Sequence, residues 1–492
     1  MSRTERSDRS DSNVMIAEGI RWTSRSITID LMRTPVLWYL LAALLPAAVA
    51  DDPGVKAAER LFEGWLEGQM AYRGLPGIAV GVVHDQQVVW AKGFGWADTD
   101  SRTPMTPSTK MRMASHSKVF TAVAILQLRD RGKLRLDDPV VQHLPWFTPK
   151  PLDPDDPPIT IAELLTHSSG LSREAGSHWS TDEFPDTAAL KAAVQSRVVF
   201  SPEVRWKYSN LALGIAGQIV EAVSGESYKT YMQKNVFSPL GMTSSSFDEK
   251  VAGLATGYGR RMPDGSRMKM PFVDARALGS ATGLTSTVED MARFVSAQFR
   301  KGPVFSKAAL RDLHRVRMME SNWTRGNAIG FAVTREKEKL YVGHGGSYAG
   351  YKTHTLIQLD DKVGVIVLSN GDDAGAADLA SRLMQSVGEA VAKATAVTPA
   401  ITWDPSWSRF AGLYRSRFGD TRVVEMNRGL VTIDPTAPSF ENPSKLVPLG
   451  DGLFRLESRT GGSAVGEIVR FVEETGRVVR MYTGDGFSDR VP

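Results

Sequence analysis

Residues 116–131 cannot lie on a surface. Their run Val119-Phe120-Thr121-Ala122-Val123-Ala124-Ile125-Leu126-Gln127-Leu128 is apolar nearly all round a 3.6-residue helix and stops at Gly132. A helix without a polar face has to be enclosed by other elements. The chain has no cysteine, so packing alone must do the enclosing, and thiolate catalysis, zinc-thiolate sites and a lipid-modified cysteine anchor are excluded as well. At 492 residues it can build two or three domains around a large core.

The segments around this helix set the expected architecture. Residues 55–72 read as an amphipathic helix with Phe62, Trp65, Leu66 and Met70 on one side. Strand-like runs Ile78–Val83 and Val88–Ala91 follow, joined by His84-Asp85-Gln86-Gln87 as a hairpin. Further helices are expected at 160–166, 187–196, 210–224, 287–299 and 376–394, with strands at 328–334, 339–343, 353–359 and 363–369. The order predicts an α+β domain over 51–397. Its antiparallel sheet draws its halves from distant parts of the sequence, is flanked by helices, and carries a helical subdomain between those halves. From Phe410 onward nearly every signal is a strand or a turn, so 400–492 is expected to be a small all-β domain, sandwich-like or barrel-like, after a linker at Thr398-Pro399 and Asp404-Pro405.

The buried helix opens on Ser115-His116-Ser117-Lys118. A serine and a lysine three apart share one helical face, and a base beside a hydroxyl turns it into a nucleophile. Free N–H groups at a helix start favour an oxyanion. The plain alternative is a capping serine with a surface lysine. Such pairs recur by chance: Ser266 and Lys269 form a second, which follows a Pro-Asp-Gly turn, opens no apolar helix and is set aside.

Two more clusters follow. Tyr208-Ser209-Asn210 offers a phenol that can exchange a proton with a lysine, and an amide that can orient that lysine and a substrate's acyl group. The alternative is a loop with Asn210 capping the next helix. Gly343-His344-Gly345-Gly346-Ser347 ends the expected strand 339–342. Glycines on an edge strand admit a substrate backbone. The Ser347 N–H could join that of Ser115 in an oxyanion hole, and His344 could hold a substrate carboxylate. The alternative is a glycine-rich turn with an incidental histidine.

In this order and spacing, Ser115-x-x-Lys118, Tyr208-x-Asn210 and His344-x-Gly346 resemble the serine β-lactamase and penicillin-binding protein superfamily, most of all its class C β-lactamase-like branch. That branch also holds DD-peptidases, D-aminopeptidases and carboxylesterases. Leu164-Leu165-Thr166-His167-Ser168-Ser169-Gly170-Leu171 and Ala281-Thr282-Gly283-Leu284-Thr285-Ser286-Thr287 are similar to loops of the branch, and the resemblance covers about 55–395. It implies that Ser115 is acylated, that Lys118 is its base, and that Tyr208 is the partner acid and base. Asn210, His344, Gly346 and Ser347 then bind substrate or its oxyanion, with no metal and no cofactor. The β-lactamases usually carry lysine where His344 stands, and histidine is charged only in part at neutral pH, which weakens the case for efficient β-lactam hydrolysis. A class A general-base glutamate cannot be placed, and the absence of G-x-S-x-G argues against an α/β-hydrolase. His167 is expected to act structurally, His116 and Ser117 to fill space or bond backbone, and Trp146, Trp179, Trp206 and Trp323 to pack or to line a cleft.

The N-terminal segment bears on location. Met32-Arg33-Thr34-Pro35, the apolar run Val36–Leu45 and Ala48-Val49-Ala50 describe a signal peptide over 32–50. Residues 1–31 then read as a spurious or disordered extension, with Met32 as the true start. The alternative is a membrane anchor with a short cytoplasmic tail. Both readings put the working part outside the cytoplasm, periplasmic or secreted. Net charge is +4 without a dense basic run, so nucleic acid is not an expected partner. The expected function is an exported serine hydrolase of esters, amides or peptides. A DD-peptidase or β-lactamase, or a non-catalytic binding or scaffold protein, are the alternatives.

Overall fold

The computed structural model describes residues 49–176, 183–195, 198–247, 251–336, 339–396, 403–436, 443–450, 452–458 and 462–492. The signal segment up to residue 48, Trp179 and Thr398-Pro399 lie outside them.

Helix α1 (Pro53–Arg73) starts with proline at its first position, and the Asp52 carboxylate accepts the N–H groups of Gly54 and Val55. It ends at Gly74 in the left-handed conformation, φ 60°. Strands β1 (Gly77–His84) and β2 (Gln87–Asp98) form the expected hairpin. β3 (Met111–Ala114) leads into α2 (Ser117–Asp130), the apolar helix, whose residues up to Leu128 are all buried. After the helical middle come α3 (Asn210–Ser224), β4 (Leu284–Ser286) and α4 (Val288–Ser296). Strands β5 (Arg325–Asn327), β6 (Ala332–Glu336), β7 (Lys339–Tyr348), β8 (Tyr351–Gln358) and β9 (Val363–Ser369) follow, then α5 (Ala376–Leu383).

Among the described residues the main sheet has nine strands, all antiparallel, in which β2, β1, β9, β8, β7, β6 and β5 are successive neighbours. β1 pairs with β9, from Ile78 opposite Ser369 to His84 opposite Val363, so the centre of the sheet joins distant parts of the chain as expected. Alternation sends Ile78, Val80, Val82, Val365 and Val367 into one core with Phe62, Leu66 and Met70 of α1 and with Leu379 and Leu383 of α5. Ala79, Ile366 and Leu368 face a second, larger core with α2, α3 and α4.

The sequence reading differs from the structure in several places. β7 continues through the glycine cluster to Tyr348 instead of ending at Val342. The cap of α3 is Ser209, whose Oγ accepts the Ala212 N–H at 2.9 Å, so Asn210 is the first helical residue. The expected helix 376–394 is interrupted by a π-turn at Met384–Gly388. The helix Lys307–His314 and the short strands β3 and β4 were not anticipated.

The C-terminal domain is a closed eight-stranded antiparallel barrel running from Gly412–Ser416 to Gly486–Arg490. Its core is its own: Trp407, Phe410, Tyr414, Phe454 and Met481 pack with Val469 and Val478. Among the described residues no helix is long and apolar enough to cross a membrane.

Candidate active site

Three elements carry the three clusters to one cleft of about 920 Å³. The turn from β3 into α2 presents Ser115. Ala114, immediately before it, has φ 49°, a left-handed conformation that costs an L-residue about 1–2 kcal/mol. Ser117 braces this turn: its Oγ donates to the Ala114 carbonyl at 2.7 Å and accepts the Leu284 N–H at 2.9 Å. The expectation that Ser117 bonds backbone holds.

Lys118 is 1% exposed. Its Nζ donates to Ser115 Oγ at 3.0 Å and to the Ala281 carbonyl at 2.8 Å, and lies 4.9 Å from the centre of the Tyr208 ring. The Tyr208 hydroxyl donates to Ser115 Oγ at 2.8 Å. One serine oxygen thus contacts both groups that could take its proton. The stretch Ala281-Thr282-Gly283 contributes a carbonyl that anchors the lysine, a role its sequence did not disclose.

Tyr208 is held by its neighbours. The His167 ring packs on it at 4.4 Å, and His167 Nδ1 accepts the Ser209 N–H at 3.2 Å. His167 is therefore structural, as expected, although it also lines the cleft. Trp206 meets the His167 ring edge-on and lies tilted against the Tyr208 ring. Trp146 packs against the larger core, while Trp323 is 79% exposed. Asn210 Nδ2 donates to the Glu174 carboxylate at 2.7 Å, which fixes the orientation of the amide because a carboxylate only accepts.

The third cluster lies on β7. Up to Gly343 this strand is paired on both sides, with β6 and β8; from His344 to Tyr348 it pairs only with β8. The cluster is thus a strand whose second edge opens on the cleft. Gly346 passes directly over β3: a Cβ there would overlap the Met113 carbonyl oxygen and Thr353 Oγ1. Lys352, opposite Ser347, donates to the Ser347 hydroxyl and forms an ion pair with Asp372 at 3.3 Å.

His344 is half-buried, and its Nδ1 donates to the Gly345 carbonyl at 2.7 Å. Desolvation, then the proximity of His116 and Lys118, holds its pKa well below the ordinary histidine value. It is a neutral imidazole at pH 7. His116, with Thr355 Oγ1 at 3.0 Å and Thr353 Oγ1 at 3.1 Å, is pushed by burial to about 3. The cations lining the cleft are instead Arg173, Arg325 and Lys352, which no motif pointed to. Asn327 also lines it, buried, and its Nδ2 has no partner among the described residues. The second serine–lysine pair is unrelated to the cleft: Ser266 is exposed on a turn, and Lys269 pairs with Asp100. Among the described residues no cluster of three or more His, Asp or Glu could hold a metal ion.

An antiparallel sheet backed by helices, with serine, lysine and tyrosine meeting under a glycine-rich strand edge, defines a fold of the β-lactamase and penicillin-binding protein kind. A family model described as Beta-lactamase matches residues 62–389, and the chain belongs to that family. Protein flp of Staphylococcus aureus (strain COL) is 27% identical over 303 residues, 60% of each chain. PbpX of Bacillus subtilis (strain 168) is 32% identical over 228 residues, 46% of this chain and 55% of that one. The chain thus spans about 60% or less of the length of these curated relatives. Among solved structures, the octameric penicillin-binding protein homologue from Pyrococcus abyssi superposes with a TM-score of 0.60 at 26% identity, covering 87% of this chain and 98% of that one. EstCE1, described as a hydrolase with promiscuous acyltransferase activity, shares the fold with a TM-score of 0.58 at 22% identity, covering 69% and 98%.

Proposed function

We propose that the protein is an exported serine hydrolase that cleaves ester or peptide-like amide bonds through an acyl-enzyme on Ser115. The observation that carries this reading is the double contact of Ser115 Oγ, 3.0 Å from Lys118 Nζ and 2.8 Å from the Tyr208 hydroxyl. Ser115 Oγ attacks the substrate carbonyl, and its proton passes to the Lys118–Tyr208 pair. The oxyanion forms between the N–H groups of Ser115 and Ser347. Collapse breaks the scissile bond, and Tyr208 returns the proton to the leaving oxygen or nitrogen. Water then attacks the acyl-enzyme ester, the pair takes up its proton and returns it to the departing Ser115 Oγ, and the free acid leaves. The neutral His344, whose Nδ1 proton is engaged by the Gly345 carbonyl, presents an accepting nitrogen and no positive charge, which favours esters and uncharged amides over β-lactams that rely on a cation at this position.

Intact-protein mass spectrometry with a fluorophosphonate, and separately with a penicillin, tests this. One fluorophosphonate adduct that disappears in Ser115→Ala is expected. A stable penicillin adduct would move the reading to a DD-peptidase, and no adduct from either reagent on folded protein would leave only a binding role.

A further inference from the structure

A buried arginine sits behind the nucleophile without touching it. Arg112 precedes Ser115 by three residues on β3 and is 3% exposed. Met111 and Met113 point into the larger core, so alternation turns Arg112 to the other side of the strand. There its guanidinium lies between two rings, 4.1 Å from the centre of Tyr348 and 4.7 Å from that of Phe272. Its Nη1 donates to the Val273 carbonyl at 2.7 Å, and the Tyr348 hydroxyl donates to the same carbonyl at 2.9 Å. Tyr348 also stacks on Phe184, with 5.7 Å between ring centres and 18° between planes.

These contacts span the two strands that would form the oxyanion hole. β3 and β7 meet at Gly346, over the Met113 carbonyl, and again at Arg112, over the Tyr348 ring. Ser347 lies between the two contacts on β7, and Ser115 lies just beyond them on β3. With both contacts in place, the separation of the Ser115 and Ser347 N–H groups is fixed. With Arg112 removed, the Tyr348 end of β7 loses its contact with β3 and can shift, because past Gly343 the strand has a neighbouring strand on one side only.

We infer that Arg112 is a positioning residue, clamping Tyr348 and the Val273 carbonyl so that the Ser347 N–H faces the oxyanion formed on Ser115. This rests on Ser115 being the nucleophile. A displacement of about 1 Å in such a site costs on the order of a hundredfold in rate.

The test uses the full chain and a p-nitrophenyl ester, with active sites counted by fluorophosphonate adduct. Arg112→Met keeps the aliphatic bulk and loses the plane and its donors. Its kcat per labelled site should fall about a hundredfold with KM within about twofold. Tyr348→Phe, which removes one hydroxyl and keeps the stack, should fall about tenfold and guards against misfolding of the first variant. A purely structural role would instead lower the number of labelled sites and leave each at full speed, which overturns the proposal, as would a rise in KM alone. Hydrogen exchange reads the clamp without any reaction. Residues 344–348 should exchange faster in Arg112→Met, and unchanged exchange there overturns the inference. A wild-type protein inert to ester and fluorophosphonate would instead refute the hydrolase reading, leaving the clamp to be judged by exchange alone.

Discussion

Ser115 has two proton partners, but the histidines around it have been taken out of acid–base service. Burial is the first cause in each: His116 and His167 are pushed to about 3, His354 to about 4, and His344 well below its usual range. His314, away from the cleft, is held at about 4. Each would take a proton near pH 6.5 in the unfolded chain. Their contribution to stability is therefore complete above about pH 6.5 and is lost progressively as pH falls toward their folded values. The melting temperature is expected to drop between pH 6.5 and 5, where most carboxylates are still ionised; calorimetry showing a flat profile across that interval would contradict it. Ser115, Lys118 and Tyr208 were legible because each lies in a short motif. Arg173, Arg325, Asn327 and Lys352 were not, because they reach the cleft from a loop, from β5 and from β8, and none carries a local pattern.

The elements that place these groups were read well where they are long and poorly where they are short. α3 at 210–224 and β9 at 363–369 matched their expected bounds, because periodicity over a full helix or strand is a strong signal. β3 and β4 have too few residues to show alternation, although β3 leads directly into Ser115. The continuation of β7 through three glycines was missed for a related reason: glycine normally marks a strand's end. Here close approach explains it. Gly346 lies against the Met113 carbonyl and Gly343 against that of Thr355, leaving no room for a side chain. Gly346→Ala should thus push β7 off β3, lowering stability by about 1–3 kcal/mol and ester turnover with it. Chemical denaturation and a kcat at wild-type values would show that β7 can yield.

At the scale of the whole molecule, among the described residues the barrel's core shares none with the two cores of the sheet. Phe454, packed edge-on to Trp407 and Phe410, is at its centre. Phe454→Ala should cost the barrel about 3–5 kcal/mol and leave turnover of a small ester intact. Scanning calorimetry should show one transition displaced, and a matching loss of kcat would tie the barrel to catalysis. The sheet itself sets an order of events during synthesis. β1 cannot be paired on its inner side until β9 exists, and β9 begins at Val363, close to the end of the domain. At roughly 5–20 residues per second, the apolar helix behind Ser115 waits on the order of ten seconds or more before the strand that closes its sheet is made. A domain built this way cannot close its sheet until it is almost complete, so whatever handles the chain as it leaves the ribosome meets a sheet that is still open.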